Sequence, residues 1–201
     1  MPTGTYVVAG RPEAFSCAPG PAGWRYASDV LDLVCDRRFR TARVQVRDGA
    51  DWVRGGRSML DDGTPVMTWV TSGDPGTERT ALADVVDADS PGALVALARR
   101  VAGPGEQPAA AQLAAVRFTA PGLAGLSVRL RVARQGADRH DGLLAERWLL
   151  DDLDTGVRTS VHLAGDVVLW ATRQGGHESW DVELEALDSP PSGLVPGPAG
   201  S

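Results

Sequence analysis

Polar and apolar residues alternate along most of this chain, most sharply from Ala145 to Leu187. Val157, Thr159, Val161 and Leu163 share one side of a run whose other side carries Arg158, Ser160 and His162. Trp180, Val182, Leu184 and Ala186 stand in the same way against Asp181, Glu183 and Glu185. In a strand, successive side chains point to opposite faces, so this period of two predicts a sheet with one packed face and one wetter face. Asp154-Thr155-Gly156 and Ala164-Gly165-Asp166 separate the runs with residues that accept tight or positive-φ turns. The stretch predicts an antiparallel meander.

A second meander is expected nearer the start. Thr5 to Ala9 reads as a strand and is followed by a Pro/Gly-rich passage ending near Gly23. Trp24 to Cys35 is apolar on both parities, as in a strand covered on two sides. Ala42, Val44 and Val46 then alternate with Thr41, Arg43, Gln45 and Arg47. Asp48-Gly49 and Asp61-Asp62-Gly63 turn the chain into runs from Trp52 to Leu60 and from Pro65 to Val70. Between the meanders, Ser90-Pro91 supplies an N-cap and a first-turn proline. Leu94, Leu97, Ala98 and Val101 form a stripe at helical spacing, and Gly103-Pro104 is a stop signal, so a helix is predicted over about 91–102. Leu82 to Val86 reads as a short strand, Ala109 to Ala115 as a short second helix, Val116 to Thr119 and Leu126 to Ala133 as strands, and Gln135 to Gly142 as a charged loop.

These elements predict a mainly β (α+β) domain over residues 1–188, with a helical insertion at about 90–115 and a disordered Pro/Gly-rich tail over 189–201. A curved antiparallel sheet or half-barrel of about eight or more strands, in two meanders around one central helix, fits this order. Two stacked sheets are the competing arrangement.

Composition narrows the function classes. The chain has 201 residues, a net charge of -6, and no Lys, Ile or Asn. A mildly acidic surface argues against nucleic acid as a partner. The residue usage suggests a bacterial genome of high GC content, which weakens any argument from the choice of Arg over Lys. No run approaches the roughly 20 apolar residues of a membrane span, and the first residues do not resemble a signal peptide, so a cytoplasmic location is expected. Cys17 and Cys35 are then expected to be free thiols. Neither they nor the three His have metal-ligand spacing, and no phosphate-cradling or nucleophile-elbow motif occurs, so no metal and no cofactor are expected. Asp154-Thr155-Gly156 matches the aspartic-protease triplet but has no second copy, and reads better as a hairpin loop.

The aromatic set is the main candidate for chemistry. Six Trp stand against three Phe and two Tyr. Each buried indole removes about 150–250 Å² from water, roughly 3–6 kcal/mol, so the plain reading is that they fill the core. The functional reading is that Trp24, Tyr26, Trp52, Trp69, Trp148 and Trp170 line the concave face and contact an apolar ligand. Glu146 shares a strand face with Trp148 and Leu150, and a carboxyl group beside indole in a dry pocket suits general acid–base work. His162 is the second catalytic candidate, although it falls on the more polar side of its strand.

The passage from Trp24 to Trp52, with its Asp-x-x-Phe-Arg-Thr-x-x-Val turn between two strands, resembles a bacterial family described as glycolipid-binding. That resemblance implies a relation in shape to the lipoprotein-carrier half-barrel, an open curved sheet cupping a hydrophobic ligand. It transfers no catalytic residues. Three functions therefore stand open: a binding protein enclosing a lipid-like or polyketide-like small molecule, a cofactor-independent cyclase, isomerase or hydrolase using the same cavity, and a protein-interaction module.

Overall fold

The computed structural model describes residues 1–20, 22–102, 110–140, 143–175 and 180–188. Its first eight strands are β1 (Thr3–Val8), β2 (Arg11–Gly20), β3 (Gly23–Ser28), β4 (Leu31–Asp36), β5 (Thr41–Asp48), β6 (Asp51–Met59), β7 (Pro65–Thr71) and β8 (Asp74–Ala81). Then come β9 (Val85–Ala88) and the helix α1 (Pro91–Ala102). The rest comprises β10 (Ala110–Thr119), β11 (Ala124–His140), β12 (Leu143–Asp152), β13 (Arg158–Ala164), β14 (Val167–Gln174) and β15 (Trp180–Leu187).

All fifteen strands belong to one sheet, ordered β8-β7-β6-β5-β4-β3-β2-β1-β15-β14-β13-β12-β11-β10-β9. Two antiparallel meanders are thus joined at their middle, where the first and last strands pair from Gly4↔Leu187 to Val8↔Val182. The one parallel pair, β9 with β10, flanks α1, because parallel neighbours need a crossover. A single sheet, and not two stacked ones, follows from the continuous ladder through β1 and β15.

The turn chemistry read from sequence is in place. Gly49 and Gly156 take φ of +59° and +75°, which L side chains rarely adopt. In the Asp154-Thr155-Gly156 loop, Asp152 Oδ1 accepts from the N–H groups of Asp154 (2.8 Å) and Thr155 (3.0 Å), a local turn between β12 and β13.

Four segments differ from expectation. The Trp24–Cys35 run is broken into β3 and β4, and Ser28 Oγ accepts from Val30 N–H (3.3 Å) and Leu31 N–H (3.1 Å) at the turn. The Pro/Gly-rich passage contains the ten-residue strand β2. Residues Ala110 to Ala115 are strand, not helix: alanine's helix propensity yields to a ladder with β11 running from Ala110↔Ala133 to Thr119↔Ala124. The charged stretch from Gln135 continues β11 through a register shift at Arg134/Gly136 and stays paired with β12 to His140. The helix stop at Gly103-Pro104, part of the insertion, the end of the charged stretch and the tail from Ser189 lie outside the described residues.

The concave face is filled by α1, whose residues Pro91 to Ala98 and Val101 are all buried. Around it pack Tyr6, Phe15, Trp24, Tyr26, Leu33, Phe118, Trp148 and Leu163, among others. Away from the β1–β15 junction, the β9 end of the sheet is brought against β5 and β7 of the first meander without a ladder. Thr41 N–H donates to the Asp84 carbonyl at 2.9 Å, and Val86 N–H donates to Thr41 Oγ1 at 3.1 Å. Trp69 on β7 meets Phe118 on β10 edge-to-face at 5.7 Å. The result is an open, strongly curved sheet around a helix. No helix among the described residues is long and apolar enough to cross a membrane.

Candidate functional site

At one end of the helix, Arg99 reaches the sheet. Its guanidinium donates to Glu146 Oε2 at 2.6 Å and to the Gly165 carbonyl, and lies 3.4 Å from Asp166. Arg134 meets the other Glu146 oxygen at 3.2 Å, and Trp148 Nε1 donates to Oε2 at 3.4 Å. Glu146 therefore does lie beside an indole, but within an ion-pair network that ties helix to sheet. His162 is on the other face. Glu146 opposes Leu163 in the β12–β13 register, and His162 opposes Arg147. His162 stacks on Trp170 at 4.1 Å, where Trp170, Leu143, Leu184, Asp181 and Glu183 line an open groove of ≈ 580 Å³ on the outer face. The two expected catalytic residues are not brought together.

Nor do the six expected aromatic residues share one wall. Trp24, Tyr26 and Trp148 are core residues, with Trp24 packed against Tyr26 (6.2 Å) and Phe39 (5.8 Å). Trp69 is buried at the seam between the meanders, Trp52 is half-buried beneath the Arg54 guanidinium (4.7 Å), and Trp170 lies on the outer groove.

The other end of α1 is different. There the turns after β1, β3, β5 and β10 leave a cavity of ≈ 390 Å³ in front of the helix start. Val30, Val46, Phe118, Leu123 and Trp180 give it apolar walls, and Arg11, Arg47, Asp29 and Asp48 stand around it. Glu13 is its buried acid, 5% exposed. Glu13 Oε1 accepts from Tyr26 Oη at 3.1 Å and from Ser90 Oγ at 3.3 Å. The Ser90 hydroxyl, expected to cap the helix, is thus turned onto Glu13, while its carbonyl accepts from Ala93 N–H at 3.1 Å. Burial pushes the Glu13 carboxyl above the usual range, and hydrogen bonds from Ser28, Tyr26 and Ser90 only partly offset this. Burial likewise raises Tyr26 well above an ordinary phenol, with the Glu13 charge adding to it.

A second, enclosed space of ≈ 10 Å³, room for about one water, lies among Asp87, Arg117, Asp152, Thr159 and Arg173. Arg117 bridges Asp87 (2.6 Å) and Asp152 across β9, β10 and β12. Burial alone would raise Asp152, but the hydrogen bonds from Arg117, Thr155 and Asp154 outweigh it and hold it at about 2. Arg173 pairs with Asp89 at 2.5 Å and lies over the Trp180 ring at 4.7 Å. These ion pairs hold the helix, crossover strand and sheet in register. Cys17 and Cys35 are buried free thiols. Among the described residues, no group of three His, Cys, Asp or Glu side chains is placed to hold a metal.

Glu13 was the residue missed from sequence, and a signal for it existed. Glu13, Phe15 and Cys17 share one parity and are all buried, the same period-two pattern that marks the other strands. Pro12, Pro19 and the glycines around them masked it.

No family model matches the chain, and no curated protein matches it. Among solved structures it is similar to the crystal structure of a DUF1089 family protein from Pseudomonas aeruginosa. The likeness has 15% identity and a TM-score of 0.44, and covers 84% of this chain and 89% of that one. That is too loose to assign a fold family or an activity.

Proposed function

We propose that this is a binding protein that takes one hydrophobic small molecule, lipid-like or polyketide-like, into the cavity before the start of α1. The observation that carries this reading is the ≈ 390 Å³ space itself, with apolar walls and a single deeply buried acid. Its size falls within the range of small-molecule sites, about 300–1,000 Å³, and most of its lining is apolar. The concave face as a whole does not serve, because α1 occupies it. The resemblance of Trp24–Trp52 to a glycolipid-binding family points the same way. The test is titration with N-phenyl-1-naphthylamine, a neutral apolar dye, with energy transfer from Trp180 as the readout. Saturable one-to-one binding is expected, and Val30→Trp should abolish it without changing the melting temperature. Equal binding by both proteins would place the dye elsewhere and overturn the reading.

A cofactor-independent enzyme working in the same cavity is the second reading. The raised carboxyl of Glu13 beside the Tyr26 hydroxyl favours it, since perturbed acids cluster at catalytic sites. Glu13→Gln would then abolish turnover of a bound compound and leave dye binding intact.

A further inference from the structure

We propose that the molecule bound before the start of α1 carries an organic cation, an ammonium group on an apolar body, and that Glu13 is its counter-ion. This rests on the binding reading above and names the chemical class that the site selects.

The argument starts from what surrounds Glu13. Its immediate partners are hydroxyls: Tyr26 from β3, Ser90 from the start of α1, and Ser28 from the end of β3. Asp29 adds a like charge, and Phe15 stacks between the rings of Tyr6 (4.2 Å) and Tyr26 (6.0 Å). No cation is within ion-pairing distance of Glu13 among the described residues. Arg173, half-buried and stacked on Trp180 in the cavity wall, is already paired with Asp89. A buried carboxylate without a cation is costly, and the other buried acids here are met differently: Asp87 and Asp152 share Arg117. Glu13 is the exception, and it is the one that lines an open cavity.

The remaining charges nearly balance. Setting aside Asp89 and its partner, the lining holds the acids Glu13, Asp29 and Asp48 against Arg11 and Arg47. Arg11, Arg47 and Asp29 are all exposed, so water screens them and none adds much for a ligand of either sign. Glu13 is shielded from water, where a charge-assisted hydrogen bond is strongest. An ammonium group at the Glu13 carboxylate, with its chain against Phe118, Leu123 and Trp180, would satisfy both halves of the cavity. At a pH where free Glu13 holds its proton, binding the cation releases that proton to solvent. Affinity should therefore rise with pH until Glu13 is ionised in the free protein, and then level off.

The experiment displaces N-phenyl-1-naphthylamine from the full chain with decylamine, decanol and decanoic acid, which share one alkyl chain. Decylamine is expected to displace the dye at concentrations roughly tenfold or more below decanol, with decanoic acid weakest. In Glu13→Gln, decylamine should lose this advantage over decanol. Decanol or decanoic acid matching decylamine on the wild-type protein would overturn the proposal and leave the binding reading standing. Failure of the dye itself to bind would overturn both. The wild-type comparison decides the matter even if Glu13→Gln proves unstable.

Discussion

Gly92, in the first turn of α1, sits directly on the ring of Tyr26: a Cβ placed there would lie 2.3 Å from both Cγ and Cδ1. Tyr26 cannot move aside cheaply, because it is 1% exposed and its hydroxyl is tied to Glu13. Gly92→Ala should gain some helix propensity yet lose about 1–3 kcal/mol net from overpacking. Urea denaturation measures this, and a stabilised variant would show that helix and ring do not meet.

Glu13 should give stability an unusual pH dependence. Its folded carboxyl is raised mainly by burial, so its share of stability is full below the unfolded pKa and is lost as pH rises through the folded one. Glu13→Gln should match the wild type near pH 4 and exceed it at neutral pH and above. Denaturation curves collected across that range should diverge in this sense, and parallel curves would contradict it.

Arg117 is predicted to matter more than any exposed ion pair. Arg117→Met would leave Asp87 and Asp152, 4% and 3% exposed, without their shared cation. The expected loss is about 3–5 kcal/mol at neutral pH. Asp152 is depressed to about 2 in the fold, so its stabilisation is present above the unfolded value near 3.9 and is lost as pH falls through about 2. The difference between variant and wild type should thus shrink below about pH 4, because the variant has already lost that term.

Thr41 holds the seam where the two meanders approach. Thr41→Val should leave the buried Val86 N–H without its acceptor, at a cost of about 1–3 kcal/mol, whereas Thr41→Ser should keep it. Faster hydrogen exchange at Val86 in the valine variant alone is the expected signature.

Burial pushes the Cys17 and Cys35 thiols up to about 12, with Asp166 and Asp36 respectively adding to the shift. In the native protein at about pH 8 both should resist a disulfide reagent and titrate only on unfolding. Rapid reaction of either thiol would mean that its strand opens locally.

What the sequence by itself determined is what depends on near neighbours. Period-two alternation marked β5, β13 and β15, the Asp-Gly and Thr-Gly pairs marked turns, and the 3.6-residue stripe after Ser90-Pro91 marked α1, because these signals act over a few residues of chain. Where a local preference competed with pairing, pairing won: the alanine-rich Ala110–Ala115 became a strand on its β11 ladder. Tertiary structure alone decided the site. Ser90 meets Glu13 across 77 residues, Arg99 meets Glu146 across 47, and Val86 meets Thr41 across 45. Those meetings exist because a fifteen-stranded sheet curves around one helix, and curvature summed over many strands is not written in any short stretch. The same curvature turned Glu146 into a tether and left Glu13 as the acid facing the cavity.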